Sequence, residues 1–276
     1  MKTKLLSVLR VTSLSIALIS LAFTTKASAQ ESKDQSSELA TKLANPISNL
    51  ISVPFQNNWD KGYGPENAKR YTLNIQPVIP FGISQDWNVI TRTIVPIIDF
   101  QSPVAGGDNQ TGTGDILQSF FFSPKQPTDD GWIWGVGPAL LYASASENNL
   151  GGKKWCAGPT AVVLKQKDGW TYGMLTNQLW SYAGTDGRSD VNSTFLQPFL
   201  TYITKTYTTI ALNTESTYNW DASEWTIPIN LQVSQLFKIG GMPLSFGLGP
   251  RYYAESPAEG AKAWAARAQL VFLFPK

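Results

Sequence analysis

WTIPINLQVS, residues 225 to 234, alternates: Trp225, Ile227, Ile229, Leu231 and Val233 fall on one face and Thr226, Asn230, Gln232 and Ser234 on the other, with Pro228 neutral. A period of two is that of an extended strand with two different surroundings. One face suits hydrocarbon and the other suits water. Moving outward along the chain, Leu244, Phe246, Leu248 and Tyr252 oppose Ser245, Gly247, Gly249 and Arg251. At the C-terminus Trp264, Ala266, Ala268, Leu270, Phe272 and Phe274 oppose Ala263, Ala265, Arg267, Gln269, Val271 and Leu273. Toward the N-terminus Tyr71, Leu73 and Ile75 oppose Thr72, Asn74 and Gln76, and Ile51, Val53, Phe55 and Trp59 oppose Ser52, Gln56 and Asn58. Residues 114–122, 155–166 and 170–183 carry large residues on both faces and read as strands from their aromatic and β-branched content.

Marking the breaks predicts twelve strands, near 50–60, 69–82, 87–100, 112–123, 131–145, 155–166, 169–183, 191–205, 207–220, 224–238, 242–254 and 262–275. An even number suits a closed single-chain barrel. The connections alternate in length. DKGYGPENAK, SPVAGGDNQTG, SENNLGGKK, AGTDGRSD, WDASE and ESPAEGAK are mostly long, SQD, QKDG, KT and IGGM are short, and SPKQPTDDG breaks the pattern. A band of about 25 Å crossed at about 40° needs roughly ten residues per strand, which these segments supply. All ten Trp lie at or near predicted strand ends. Trp59, Trp155, Trp180, Trp220, Trp225 and Trp264 mark the long-loop rim, and Trp87, Trp132, Trp134 and Trp170 the short-turn rim, as two interfacial girdles would. The competing reading is a soluble β-sandwich or lipocalin-like barrel with the apolar face turned inward. Pro54, Pro77, Pro96, Pro138, Pro159, Pro198, Pro228 and Pro250 all fall inside predicted strands, where a residue without N–H needs a bulge or a harmless position.

The start of the chain reads as an address. Lys2, Lys4 and Arg10 precede an apolar stretch from Val11 to Phe23, and Ala27-Ser28-Ala29 forms a cleavage site. These are the parts of a secretory signal peptide, and the apolar stretch is too short to span a bilayer as a helix. Cleavage after Ala29 removes Lys2, Lys4, Arg10 and Lys26 and no acid, which takes the formal charge from +2 to −2. A near-neutral, slightly acidic chain does not suit a nucleic-acid partner. Residues 30–46 are polar, helix-like near Glu38 to Ala44, and read as a periplasmic leader or lumen plug; 47–276 make the barrel.

Zero His among 276 residues removes imidazole-based catalysis and His metal sites, and the single Cys156 removes disulfides and thiolate clusters. No cofactor and no metal site is expected. An outer-membrane hydrolase is the weakest of the readings, because a Ser nucleophile would lack its usual base. GTGDIL is glycine-rich but lacks the Lys of a phosphate loop and reads as a strand-entrance turn.

The run ANPISNLISVPFQNNWDKGYGP (Ala44 to Pro65), together with YTLNIQPVIPF, GTGDIL and WGVGPALLY, resembles a family of uncharacterised bacterial outer-membrane transporters related to the MetA phenol-degradation pathway family. The resemblance implies an outer-membrane β-barrel of Gram-negative-type bacteria associated with passage of small, often aromatic or hydrophobic, compounds. It supplies no catalytic residues. Outer-membrane barrels commonly end on an aromatic residue read by the barrel-insertion machinery, whereas Phe274 is followed here by Pro275 and Lys276.

The predicted fold is therefore all-β: a single closed antiparallel transmembrane β-barrel of about twelve strands in the outer membrane. Twelve strands give a backbone diameter of roughly 24 Å and a free lumen of about 10 Å or less. The predicted pore-lining residues are Gln76, Arg92, Asn213, Glu215, Asn230, Gln232, Arg251, Arg267 and Gln269, with Gln56 and Asn74 on the same faces. Arg92, Arg251 and Arg267 with Glu215 and Asp115 would form either a charged constriction or structural ion pairs across a filled lumen. The expected partners are outer-membrane lipid, small-molecule solutes and the insertion machinery, with the oligomeric state open. The expected role is a passive channel or uptake pore, without catalysis. The alternative is a structural or surface-binding barrel with a closed lumen.

Overall fold

Alternating segments satisfy their backbone groups only by pairing with neighbours, and here the pairing runs in a circle. The computed structural model describes residues 31–275; the reading of residues 1–29 as a signal peptide lies outside them. A helix, α1 (Glu31–Leu43), precedes fifteen strand segments. These are β1 (Ile51–Tyr63), β2 (Ala68–Ile75), β3 (Val78–Gly82), β4 (Trp87–Phe100), β5 (Gln110–Thr113), β6 (Ile116–Pro124), β7 (Trp132–Tyr142) and β8 (Lys154–Lys167). β9 (Trp170–Gly184), β10 (Asn192–Ile203), β11 (Thr208–Thr214), β12 (Ser216–Asn219), β13 (Glu224–Ile239), β14 (Met242–Glu255) and β15 (Ala263–Phe274) complete the set. Each pairs antiparallel with its neighbours, β9 with β10 and β15 with β1, so the sheet has no free edge.

The fifteen segments make twelve strands, because β2 and β3, β5 and β6, and β11 and β12 each continue one another on unchanged partners. The three interruptions sit at or opposite prolines. Gln76 N–H reaches Pro54 O, Gly114 N–H reaches Pro96 O, and Glu215 N–H reaches Pro228 O, while the proline returns nothing. Three further prolines follow a glycine, at Gly137-Pro138, Gly158-Pro159 and Gly249-Pro250. At each the pairing with one neighbour lapses for two residues, between 119/139 and 122/136, 157/180 and 160/177, and 230/251 and 233/248. A β-carbon on Gly137, Gly158 or Gly249 would overlap the carbonyl oxygen of Phe120, Gln178 or Leu231. The bare glycine lets the neighbouring backbone close in where the proline has broken the ladder.

The register settles which face is which. Asn230 stands opposite Asn213 and Arg251 on the inside, while Leu231, Val233 and Leu248 point outward and are 44%, 47% and 59% exposed. The soluble reading, with apolar faces inward, is thereby excluded. Outward-facing Ile97, Phe122, Val163, Met174, Ile210 and Phe246 continue this belt around the wall, which is a lipid-facing surface. Aromatic pairs bound it on both sides. Trp59–Tyr71, Tyr142–Trp155, Tyr218–Trp225 and Tyr252–Trp264 lie at the long-loop rim, and Trp87–Trp134, Trp132–Tyr172 and Trp170–Tyr202 at the short-turn rim. Residues 125–131, the connection that breaks the length pattern, lie with the short turns.

From Ser37 onward the leader belongs to the same body as the barrel. Glu38 and Lys42, one helical turn apart, pair at 2.6 Å. The helix stops before Asn45-Pro46, where Asn45 Oδ1 accepts the N–H of Ile47 at 2.9 Å and Pro46 cannot continue the helical ladder.

Candidate functional site: the barrel interior

The interior has two unlike walls. On one side β4 and β6 to β9 turn Ile90, Phe121, Val162, Leu164 and Leu175 inward as one buried apolar cluster. Nearer the long-loop rim Cys156 is fully buried with Ala139 and Leu179, where it packs as a small apolar side chain. These strands lack a clean alternation in sequence because both of their faces are apolar. The opposite wall, from β10 round to β2, carries most of the amides and charges, and Arg92, on β4 beside β2 and β3, stands where the two walls meet.

The charged groups form one network. Arg267, 5% exposed, donates from Nη1 and Nη2 to Glu215 Oε1 and Oε2 at 2.8 and 2.6 Å, and from Nε to Asn58 Oδ1 at 2.8 Å. This is the two-pronged geometry in which a guanidinium binds a carboxylate most strongly. Arg251 donates to the same Asn58 oxygen at 3.1 Å and stands 3.8 Å from both Glu215 and Asp60. Its guanidinium also lies over the Tyr253 ring, 5.0 Å from the centroid. Gln56, with its amide oxygen turned toward Arg267, lies 2.7 Å from Nη2. It also meets Gln76, which in turn accepts from Arg92 Nη2 at 2.8 Å. Asn230 donates to Asn213 at 2.9 Å and Gln232 to Gln269 at 3.1 Å.

This network divides the interior. On the short-turn side lies a chamber of about 250 Å³, whose wall includes Gln76, Arg92, Asn213, Gln232 and Gln269 together with Val78, Leu175 and Phe199. On the long-loop side a vestibule of about 740 Å³ is bounded by Tyr63, Arg70, Phe100, Gln110, Leu150 and Arg188. The leader closes the chamber from below. Leu39, Ala40 and Leu50 are buried against Leu236, Val271 and Leu273 on β13 and β15, while Ile47 is buried across the bore against Ile90, Phe121 and Leu164. Thr41 O accepts a hydrogen bond from Gln166 at 2.9 Å. The segment crosses the lumen and holds both walls.

Of the nine residues predicted as pore-lining, Gln76, Arg92, Asn213, Gln232 and Gln269 line the chamber and Glu215, Asn230, Arg251 and Arg267 belong to the network above it, while Asn74 stands in register with Gln56. Asp115 is a correction. It is not part of the constriction, because its two oxygens accept the N–H groups of Ala145 and Lys153 at 3.0 Å each and fasten the 143–153 loop. Two members of the network were not among the predicted site residues: Asn58, which bridges two arginines, and Asp60. Asn58 does carry a signal, since it alternates with Ser52 and Gln56; Asp60 opens a stretch read as loop. Among the described residues no group of three or more Cys, Asp or Glu is placed to hold a metal ion.

A closed antiparallel wall, an apolar belt between aromatic girdles and a polar core define the class: the chain has the fold of an outer-membrane β-barrel. Its structure is similar to that of an outer membrane channel from Pseudomonas putida F1, with a TM-score of 0.62 and 15% identity over 82% of this chain and 94% of that one. It is more distantly similar to the β domain of the Bordetella autotransporter BrkA, with a TM-score of 0.45 and 10% identity over 82% of this chain and 100% of that one. A third match is the Salmonella typhi outer membrane phospholipase, with a TM-score of 0.44 and 11% identity over 86% and 98% of the two chains. No protein-family model and no curated protein matches the sequence.

Proposed function

We propose that the chain is an outer-membrane channel that admits small molecules, aromatic or hydrophobic ones among them, by passive passage and without catalysis. In this reading it is exported by a signal peptide cleaved after Ala29 and inserted by the barrel machinery. The observation that carries the proposal is a mouth cavity at the long loops, the charged network and the chamber following one another along the barrel, with Val78, Leu175 and Phe199 as apolar lining of the chamber. Apolar side chains beside amides in the chamber, Val78, Leu175 and Phe199 next to Gln76, Gln232 and Gln269, give a one-ring solute weak contacts there, as conduction without tight holding requires. The fold shared with a bacterial outer membrane channel supports the same reading.

The leader makes the resting barrel closed on its short-turn side. Bilayer recording of the refolded protein, with and without residues 31–49, tests this. Steady ohmic steps that appear or grow on deletion support a plugged channel. Silence in both forms refutes it and favours a structural or surface-binding barrel.

A further inference from the structure

The interior charges do not balance. The interior network holds three guanidiniums, of Arg92, Arg251 and Arg267, and two carboxylates, of Glu215 and Asp60. Both carboxylates are engaged by Arg251 or Arg267. Arg92 gives its hydrogen bond to the neutral amide of Gln76, and among the described residues no carboxylate comes within 4 Å of it. The other cation on the chamber wall, Lys42, is matched by Glu38 at 2.6 Å. Arg92 is therefore the one guanidinium of the three without a directly paired carboxylate, and it lies on the chamber.

The neighbours of Arg92 fit an anion with an apolar body. Asn213 and Gln269 each accept a hydrogen bond through the side-chain oxygen, from Asn230 and Gln232, which leaves the NH₂ end of each free to donate. Val78, Leu175 and Phe199 supply an apolar wall to the same cavity. At about 250 Å³ the chamber is smaller than the ~300 to 1,000 Å³ typical of sites for drug-sized ligands, which suits a one-ring molecule. A buried guanidinium without a directly paired carboxylate gains more from an arriving one than a paired guanidinium does.

We infer that the chamber is a binding site for small aromatic or branched monocarboxylates, with the carboxylate on Arg92 and the amides and the apolar body against Phe199 and Leu175. This rests on the channel reading, and it names the solute class that the channel selects.

The test compares 4-fluorobenzoate with its neutral isostere 4-fluorobenzamide by fluorine NMR titration of the full-length protein in lipid nanodiscs. Saturable binding of the acid is expected, about tenfold or more tighter than the amide, and weakened to a similar degree by Arg92→Gln. Arg92→Lys, which keeps the charge, should recover part of the loss. Equal affinity for the two probes would overturn the site, and that comparison needs no variant to fold. Unchanged affinity in a folded Arg92→Gln protein would overturn it as well. Conductance of the leader-deleted protein keeps the two proposals apart. Ohmic steps with equal probe affinities leave a channel without this site, whereas acid-selective binding with no conductance leaves the site in a closed barrel.

Discussion

Glu215→Gln is the sharpest probe of the charged network. Glu215 meets Arg267 through two hydrogen bonds, at 2.8 and 2.6 Å, and Arg251 at 3.8 Å, and its side chain is only 21% exposed. At a charge separation of about 4 Å and an effective dielectric near 20, the closer pair attracts by about 4 kcal/mol. Much of that attraction is offset by the desolvation of both ions, so the intact pair adds little net stability. Truncation is different, because it leaves the Arg267 guanidinium buried beside Asn58 and Gln56 with no anion. Stranding a buried ion costs about 3 to 5 kcal/mol, and the residual exposure of Glu215 favours the lower end, about 3 kcal/mol. Urea unfolding in phospholipid vesicles, followed by Trp emission, measures it. The double variant Glu215→Gln/Arg267→Gln removes both charges and should regain more than half of the loss. A Glu215→Gln barrel within about 0.5 kcal/mol of the parent would refute the reasoning, as such a value belongs to solvated pairs.

Three other outcomes are expected. Leu231→Arg places a charge on the lipid-facing belt and should destabilise the barrel by about 2 to 4 kcal/mol, while Gln232→Arg, one residue on and facing the lumen, should cost far less; equal losses in vesicle unfolding would contradict the register. Ile47→Asp puts a carboxylate into the cluster of Ile90, Phe121 and Leu164, and should release the plug, raising open probability in bilayer recordings while the barrel's own unfolding midpoint stays put. Gly249→Ala, whose added carbon would overlap the Leu231 carbonyl, should cost about 1 to 3 kcal/mol, and unchanged stability would show that β13 and β14 can separate there freely.

The strand prolines show how local and global readings meet. Eight of them argue against strands when each is judged singly, yet the barrel meets six of them with a specific local remedy, an interruption of the facing strand or a glycine before the proline. Gly249-Pro250 works because the glycine admits the neighbouring carbonyl, and Pro228 works because it faces the interruption at Glu215. The glycine before the proline was legible in sequence; the neighbouring carbonyl that needs the space was not.

Alternation with period two, the loop lengths and the positions of the ten Trp were enough to specify twelve strands, the inward face of β13 to β15 and the two rims. These properties depend on residues adjacent along one strand, where successive side chains must point to opposite sides. Only closure of the barrel decided which side chains meet across the lumen. Arg267 joins Glu215 and Asn58 from far along the chain, Asp115 leaves the constriction to fasten a loop, and Ile47 finds Phe121 and Leu164 on the far wall. Strand tilt and stagger set those meetings, and no local pattern of residues encodes them.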